Sequence, residues 1–315
     1  MPLQYDPEFL EEAGPVLQQL AQTQQPALHD VTTRRGMMAA MCKELPPLPE
    51  GIEKLVHRVP TADGHEVVIY HFRRQNAHRE TGAPAIVHIH GGGYISLTAE
   101  QCSVPHISAV SRTGVQILTI DYRLAPEHPY PTPVDDCWAG LRWVYDNAAQ
   151  LSIDSSRIAL MGESAGGGLA AALTLRARDR ALAPPIAKQI LVYPMLDDRT
   201  TTNHAGQLAF WTEVDNITGW TAYLGPDAGT DKINADAAPA RAGSVVGLPP
   251  LYLDCPQLDM FVQESLEYAR RFVASNIPTE CHIYPGLPHG FEALAPLATV
   301  TRQAIANRDR AMTTF

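Results

Sequence analysis

The run Arg157-Ile158-Ala159-Leu160-Met161-Gly162-Glu163-Ser164-Ala165-Gly166-Gly167-Gly168 decides the fold. It opens with a short apolar run, Arg157–Met161, the mark of a strand buried on both faces of a parallel sheet. After it, Ala165–Arg178 is rich in Ala and Leu and reads as a helix. Between the two lies Gly162-Glu163-Ser164-Ala165-Gly166, a GxSxG pattern in the strand–turn–helix setting that its mechanics require. A sharp turn there pushes the Ser hydroxyl out of the sheet, and glycine at the flanking positions avoids a clash with the neighbouring strand and helix. By average Gly and Ser usage the bare pattern arises in roughly one chain in ten of this length. The setting, more than the pattern, makes Ser164 the candidate nucleophile.

The same texture extends outward on both sides. Ala85–Ile89, Val115–Ile120, Lys188–Tyr193, Pro250–Asp254 and Glu280–Tyr284 are further short apolar runs, and the segments between them hold helices at Glu100–Arg112, Val134–Gln150, Phe261–Ser275 and after Phe291. Val56–Pro60 and Glu66–Phe72, split by Asp63-Gly64, read as an antiparallel hairpin. This alternation predicts an α/β fold, doubly wound with right-handed crossovers: a mostly parallel eight-stranded sheet flanked by helices. Near-helical spacing of Phe9, Leu10, Val16, Leu17 and Leu20 predicts a helix over Pro7–Gln25, and a second is expected over Val31–Leu45, stopped by Pro46-Pro47. The long stretch between Tyr193 and Pro250 has no strand pattern but carries Phe210, Trp211, Trp220 and Tyr223. Such an insertion at the carboxyl end of a strand reads as a helical cap. Its aromatics are core by default, although some can wall a pocket. The expected division is residues 1–50 as an N-terminal part of the cap, 51–196 as the first part of the core, 197–245 as the cap insertion and 246–315 as the second part of the core.

Composition narrows the function by exclusion. The chain has 315 residues, a formal charge of −10 and 45% hydrophobic residues, too apolar for a disordered protein. An acidic balance with no long Lys/Arg cluster argues against nucleic acid as a partner. No apolar run approaches the roughly 18 residues of a membrane span. The start, Met1-Pro2-Leu3-Gln4-Tyr5-Asp6, lacks the pattern of a signal peptide, and a cytoplasmic location is the expectation. Five scattered cysteines without a CxxC give no zinc or disulfide framework and read as free thiols. Oligomeric state is left open, with the last strand, near Cys281, as an edge through which a homodimer could pair.

In an open α/β sheet the chemistry sits at the carboxyl ends of the strands, and several motifs fall there. After Ala85–Ile89 comes His90-Gly91-Gly92-Gly93-Tyr94, where adjacent glycines let backbone N–H groups converge with no Cβ in the way. Donors aimed at the charge of a tetrahedral intermediate are worth ~3–4 kcal/mol each. The N–H of Ala165 is a further donor. A phosphate loop would carry GxxxxGK[ST], and no Lys follows here. HGGG arises by chance in only about two chains per thousand. His90 reads as orienting this loop rather than transferring protons. Among 12 histidines, His289 stands in a turn-rich loop directly after the last strand, within reach of Ser164, and is the candidate base. His88 and His282 lie inside strands, where a satisfied structural histidine is the default, and His57, His65 and His71 belong to the hairpin. The chain order Ser…Asp…His calls for an acid after Pro250–Asp254. Asp254 and Asp259 compete; Asp259, in the loop before the helix, is favoured, and Asp254 at the strand tip could simply hold that loop. Glu264, one turn into the helix, reads as solvated surface.

Together these residues resemble the hormone-sensitive-lipase-like branch of the α/β-hydrolase esterases, over roughly two thirds of the chain, from Pro84 to Glu292. His90–Tyr94, the run Asp121-Tyr122-Arg123-Leu124-Ala125-Pro126-Glu127-His128-Pro129-Tyr130-Pro131, Gly162–Gly168, Leu258-Asp259 and Gly286–Glu292 carry the resemblance. It implies the α/β-hydrolase fold, Ser164 as nucleophile, His289 as base, Asp259 as acid, and Gly92, Gly93 and Ala165 as oxyanion donors. His90 and Gly91 support the loop, and Asp121 belongs to a structural run beside the site. Two departures stand out. The acid lies in Pro256-Gln257-Leu258-Asp259 where the family often has Asp-Pro-Leu, although Tyr268-Ala269 restores the alignment. Glu163 replaces the common Asp or Thr before the nucleophile. The expected reaction is hydrolysis of small to medium acyl esters without metal or organic cofactor, active with neutral imidazole. A hydrolase of lactones, carbamates or amides is the alternative. More remote is a ligand receptor of the kind plants built from this fold, which loses the histidine that Pro288-His289-Gly290 keeps here.

Overall fold

Six apolar runs and one hairpin assemble into a single eight-stranded sheet in the order β1-β2-β4-β3-β5-β6-β7-β8. The computed structural model describes residues 2–42, 45–75 and 82–315. The strands are β1 (Ile52–Pro60), β2 (Glu66–Arg74), β3 (Ala83–Ile89), β4 (Gln116–Asp121), β5 (Ile153–Glu163), β6 (Lys188–Val192), β7 (Leu251–Leu258) and β8 (Thr279–Pro288). β1 and β2 form the expected antiparallel hairpin, and β2 joins β4 antiparallel; all other pairings are parallel. The central strands bury side chains on both faces: Ile86, Val87, Ile158, Leu160, Ile190 and Leu191 have no exposed surface. That is why they read as continuous apolar runs rather than alternating ones.

The chain leaves β3 towards β4 on one side and returns to β5 on the other, so strand order reverses between β3 and β5. This is the switch point at which open α/β sheets place their sites. Helices α3 (Ser103–Thr113), α4 (Thr132–Asp146), α5 (Ala165–Asp179), α7 (Val262–Ala274), α8 (Phe291–Leu294) and α9 (Thr299–Thr313) flank the sheet. The small side chains of α5 let it pack centrally, buried from Ala165 to Ala177.

Two helices precede the sheet, α1 (Pro7–Ala21) and α2 (Val31–Met41). Both end before the expected Gln25 and Leu45. Gln22–Gln25 offers no apolar group to bury, α2 gives way to extended backbone at Cys42, and Lys43 and Glu44 lie outside the described residues. The insertion after β6 holds one helix, α6 (Glu213–Leu224), and short 3-10 turns at Gly206–Leu208, Gly225–Asp227 and Pro239–Arg241. A capping box starts α6, with the Thr212 hydroxyl accepting from Asp215 N–H and the Asp215 carboxylate accepting from Thr212 N–H. The N-terminal helices fasten to this insertion. Arg34 is paired with Asp215 at 2.8 Å, His29 N–H donates to Thr218, and the Tyr5 hydroxyl donates to the Leu208 carbonyl. β8 is an edge strand with Cys281 exposed. Among the described residues no helix is long and apolar enough to cross a membrane.

Candidate active site

β5 ends at Glu163 and α5 begins at Ala165, leaving Ser164 alone on the turn at φ 56°, ψ −122°. Its N–H donates to Val192 of the neighbouring strand, and its carbonyl accepts from Gly168 and Met195, so the turn is held from three sides. The surrounding glycines are a packing demand. A Cβ on Gly166 would lie 2.1 Å from the Ile89 carbonyl oxygen, and one on Gly162 would lie 2.2 Å from the Gly166 carbonyl oxygen. Ser164 itself is 6% exposed.

Immediately after β3 the glycine loop passes beside this turn. Gly92 adopts φ 111°, and a Cβ there would meet the Ser96 carbonyl oxygen at 2.1 Å, so no other residue fits. Among the described residues, neither Gly92 nor Gly93 donates its N–H to a backbone carbonyl. His90 stacks on Tyr122 with ring centroids 4.3 Å apart, its Nδ1 bonds the Gly91 carbonyl at 2.8 Å, and burial pushes its pKa down. Tyr122 donates its hydroxyl to the His90 carbonyl, and Asp121 accepts from Ala99 N–H, with one oxygen 3.9 Å from His90 Nε2. Both acidic-run residues therefore brace the loop. From the other side α6 backs it: Tyr94 stacks on Tyr223 at 4.2 Å, and Gly219 lies against the Gly93 carbonyl. Arg35 of α2 donates to the carbonyls of Ile95 and Ala125 and pairs with Glu127.

β7 and β8 run further than the sequence reading expects, and this brings Asp259 to His289. Their parallel pairing continues past a register shift at Pro256/Leu258 to Leu258 opposite Pro288. The next residue on each strand is Asp259 and His289. His289 Nδ1–H donates to Asp259 Oδ2 at 2.6 Å, and His289 Nε2 lies 2.9 Å from Ser164 Oγ. Asp259 Oδ1 accepts from Phe261 N–H, and Asp259 is 1% exposed. The imidazole sits among Tyr193, Phe261 and Trp211, at ring-centroid distances of 4.4, 5.4 and 6.5 Å.

His289 thus contacts both Ser164 and Asp259, with Gly91–Gly93 and Ala165 alongside. Asp254 is elsewhere. It is fully buried, accepts two bonds from Arg308 at 2.7 and 2.8 Å, and receives the Tyr252 hydroxyl. Arg308 also pairs with Glu292, three residues past His289 in sequence, so this network ties α9 to the histidine loop.

Glu264 corrects the expectation of a solvated surface residue. It is 8% exposed and accepts from the N–H groups of Leu196 and Asp197 and from the Thr200 hydroxyl, and burial pushes its pKa well up. Its partners lie more than sixty positions upstream (|i−j| 68, 67 and 64), so no local signal announced it. Trp211 was read only as one of four cap aromatics. Its ring lies on the glycine loop, where a Cβ on Gly93 would come within 2.5 Å of Cη2, and its Nε1–H bonds the buried Asn216 at 3.4 Å. Glu163 accepts from His88 Nε2 at 2.7 Å; burial raises the pKa of Glu163 and lowers that of His88.

Comparison with known proteins agrees with this fold. A family model described as the alpha/beta hydrolase fold matches residues 86–293. The chain is 32% identical over 224 residues to the esterase LipI of Mycobacterium tuberculosis, and 34% identical over 228 residues to the carboxylesterase NlhH of the same species, covering 70% of each chain in both cases. The structure of a bacterial heroin esterase superposes with a TM-score of 0.85 at 34% identity, over 98% of this chain and 97% of that one. The chain belongs to the hormone-sensitive-lipase-like carboxylesterases of the α/β-hydrolase fold.

Proposed function

We propose that the protein hydrolyses small to medium acyl esters by a two-step acyl transfer through Ser164, His289 and Asp259. His289 takes the proton of Ser164 as the hydroxyl attacks the ester carbonyl. Asp259 holds the imidazole in the Nδ1–H tautomer and stabilises the imidazolium that forms. The N–H groups of Gly92, Gly93 and Ala165 receive the oxyanion, Ala165 from the free first turn of α5. The imidazolium then protonates the leaving alcohol, and water repeats the sequence on the acyl-enzyme. Residues 197–245, with the helices of residues 1–50, form the cap over this centre.

The observation that carries this reading is the continuous chain of contacts from Ser164 Oγ through His289 to Asp259, at 2.9 and 2.6 Å. The esterase names of the relatives support ester as the acyl donor. Ser164→Ala should lower turnover of a p-nitrophenyl ester by about 10⁴-fold or more while leaving the circular dichroism unchanged. Turnover within tenfold of the parent protein would refute the assignment.

A further inference from the structure

The underside of the elbow carries a polar cluster for which acyl transfer has no use. His88 on β3 bridges two neighbouring strands, with Nδ1 2.8 Å from the Thr119 hydroxyl of β4 and Nε2 2.7 Å from Glu163 of β5. His106, from α3, packs its ring against His88 with centroids 3.8 Å apart. One ligating atom from each of His88, His106 and Glu163 lies within 4.8 Å of the other two. His106 is 3% exposed, and its Nε2 has no hydrogen-bond partner among the described residues. A buried polar atom left without a partner costs on the order of 1–3 kcal/mol, and His106 Nε2 is one of eight such side-chain atoms among the described residues. The orphaned nitrogen beside a histidine and a carboxylate is the signature to explain.

We propose that His88, His106 and Glu163 bind one divalent transition-metal ion of the zinc class beneath the nucleophile elbow. Two imidazoles and one carboxylate form an N/O donor set of the kind zinc takes, with a fourth position left for water. Calcium and magnesium prefer all-oxygen sets, and the absence of thiolate from the three donors disfavours the softest metals. Both imidazoles are buried deeply enough to be neutral, the form that ligates. Thr119 supplies the outer contact that fixes a ligating histidine. On binding, the His88 proton moves from Nε2 to Nδ1, and the Thr119 hydroxyl changes from donor to acceptor, so His88 stays neutral. Tetrahedral donors at zinc distances stand ~3.3 Å apart, so the His88–Glu163 contact opens by about half an ångström. Glu163 keeps 21% of its side chain exposed, which gives the ion a way in. The site is separate from the Ser164–His289–Asp259 chain, and its role is to tie β3, α3 and the end of β5 together. Cysteine spacing could not reveal it, because its three ligands come from three separate elements.

The test uses the full chain, stripped with a chelator and titrated with Zn²⁺ by calorimetry at neutral pH. One ion per chain should bind with a dissociation constant of about 1 μM or below and raise the melting temperature. His106→Gln and Glu163→Gln should each weaken binding about tenfold or more. Ester turnover by metal-free His106→Gln should stay within about twofold of the metal-free parent. Cu²⁺ bound to the unsubstituted protein gives a readout independent of how the variants fold: its electron paramagnetic resonance should show coupling to two imidazole nitrogens. Absence of saturable binding tighter than about 100 μM, an affinity unchanged in both variants, or a Cu²⁺ spectrum without two-nitrogen coupling would overturn the proposal.

Discussion

Asp254 lies within β7 and Asp259 just past its end, yet their surroundings differ sharply. Asp259 is 1% exposed and its oxygens meet His289 Nδ1 and the N–H of Phe261; Asp254 faces Arg308 and Tyr252. Replacing the acid of such a chain by Asn reverses the tautomer that the base needs. Asp259→Asn should therefore lower kcat by about 10³–10⁴-fold with little change in melting temperature. Asp254→Asn should act in the other direction. It leaves a buried guanidinium short of a charge partner, for a loss of about 3–5 kcal/mol in denaturant unfolding, with kcat within about tenfold of the parent. A larger loss of kcat in Asp254→Asn would exchange the two roles. Residues whose chemistry depends on a local turn, Ser164 and Gly91–Gly93, are legible in the sequence because the turn itself demands glycine. Asp259 and His289 are legible only as positions after strands. Glu264 is not legible in the sequence because helical position alone says nothing about amides and a hydroxyl arriving from a distant loop.

The elements themselves were readable where burial is two-sided. β3, β4 and β6 match apolar runs to within two residues because both of their faces are covered, whereas β5 starts at Ile153, four residues before its run, where Asp154–Arg157 are partly exposed. β7 and β8 were read short, since Pro256, Pro285 and Pro288 look like loop residues; parallel pairing continues through them and carries Asp259 to His289. α1 and α2 end short of the expected Gln25 and Leu45 because Gln22–Gln25 brings no apolar group to bury and the backbone is already extended at Cys42. The hairpin strand β2 also hides a titration that shapes stability. His71 is fully buried, Nε2–H donating to Gln116 at 2.8 Å, and burial lowers its pKa from 6.5 to about 3. His106 is lowered to about 3 as well. The unfolded chain therefore binds protons that the folded chain refuses. Stability from each site is complete above pH 6.5 and is lost as pH falls towards about 3, by up to about 1.4 kcal/mol per pH unit. Melting temperature should fall over this range, and His71→Gln should fall less steeply than the parent. Parallel slopes would remove His71 from the linkage.

At the scale of the whole molecule, the sheet supplies the reacting groups and the sequence between β6 and β7 supplies the surroundings. The roof is tight: Ser164 and His289 are 6% and 9% exposed, and Trp211 reaches both the glycine loop and the histidine. Trp211→Ala should raise kcat/KM for octanoate relative to acetate esters by about tenfold, the worth of one or two further methylenes of the longer chain admitted at ~0.8 kcal/mol each. An unchanged chain-length profile would place Trp211 in the core alone. The charge of −10 enters none of these arguments. Covalent capture tests the central claim most directly. A fluorophosphonate should label the protein once, on Ser164 by peptide mass spectrometry, with ester turnover lost in step with labelling and no label on Ser164→Ala. Full turnover after complete labelling, or an adduct on any residue other than Ser164, would contradict acyl transfer through this serine.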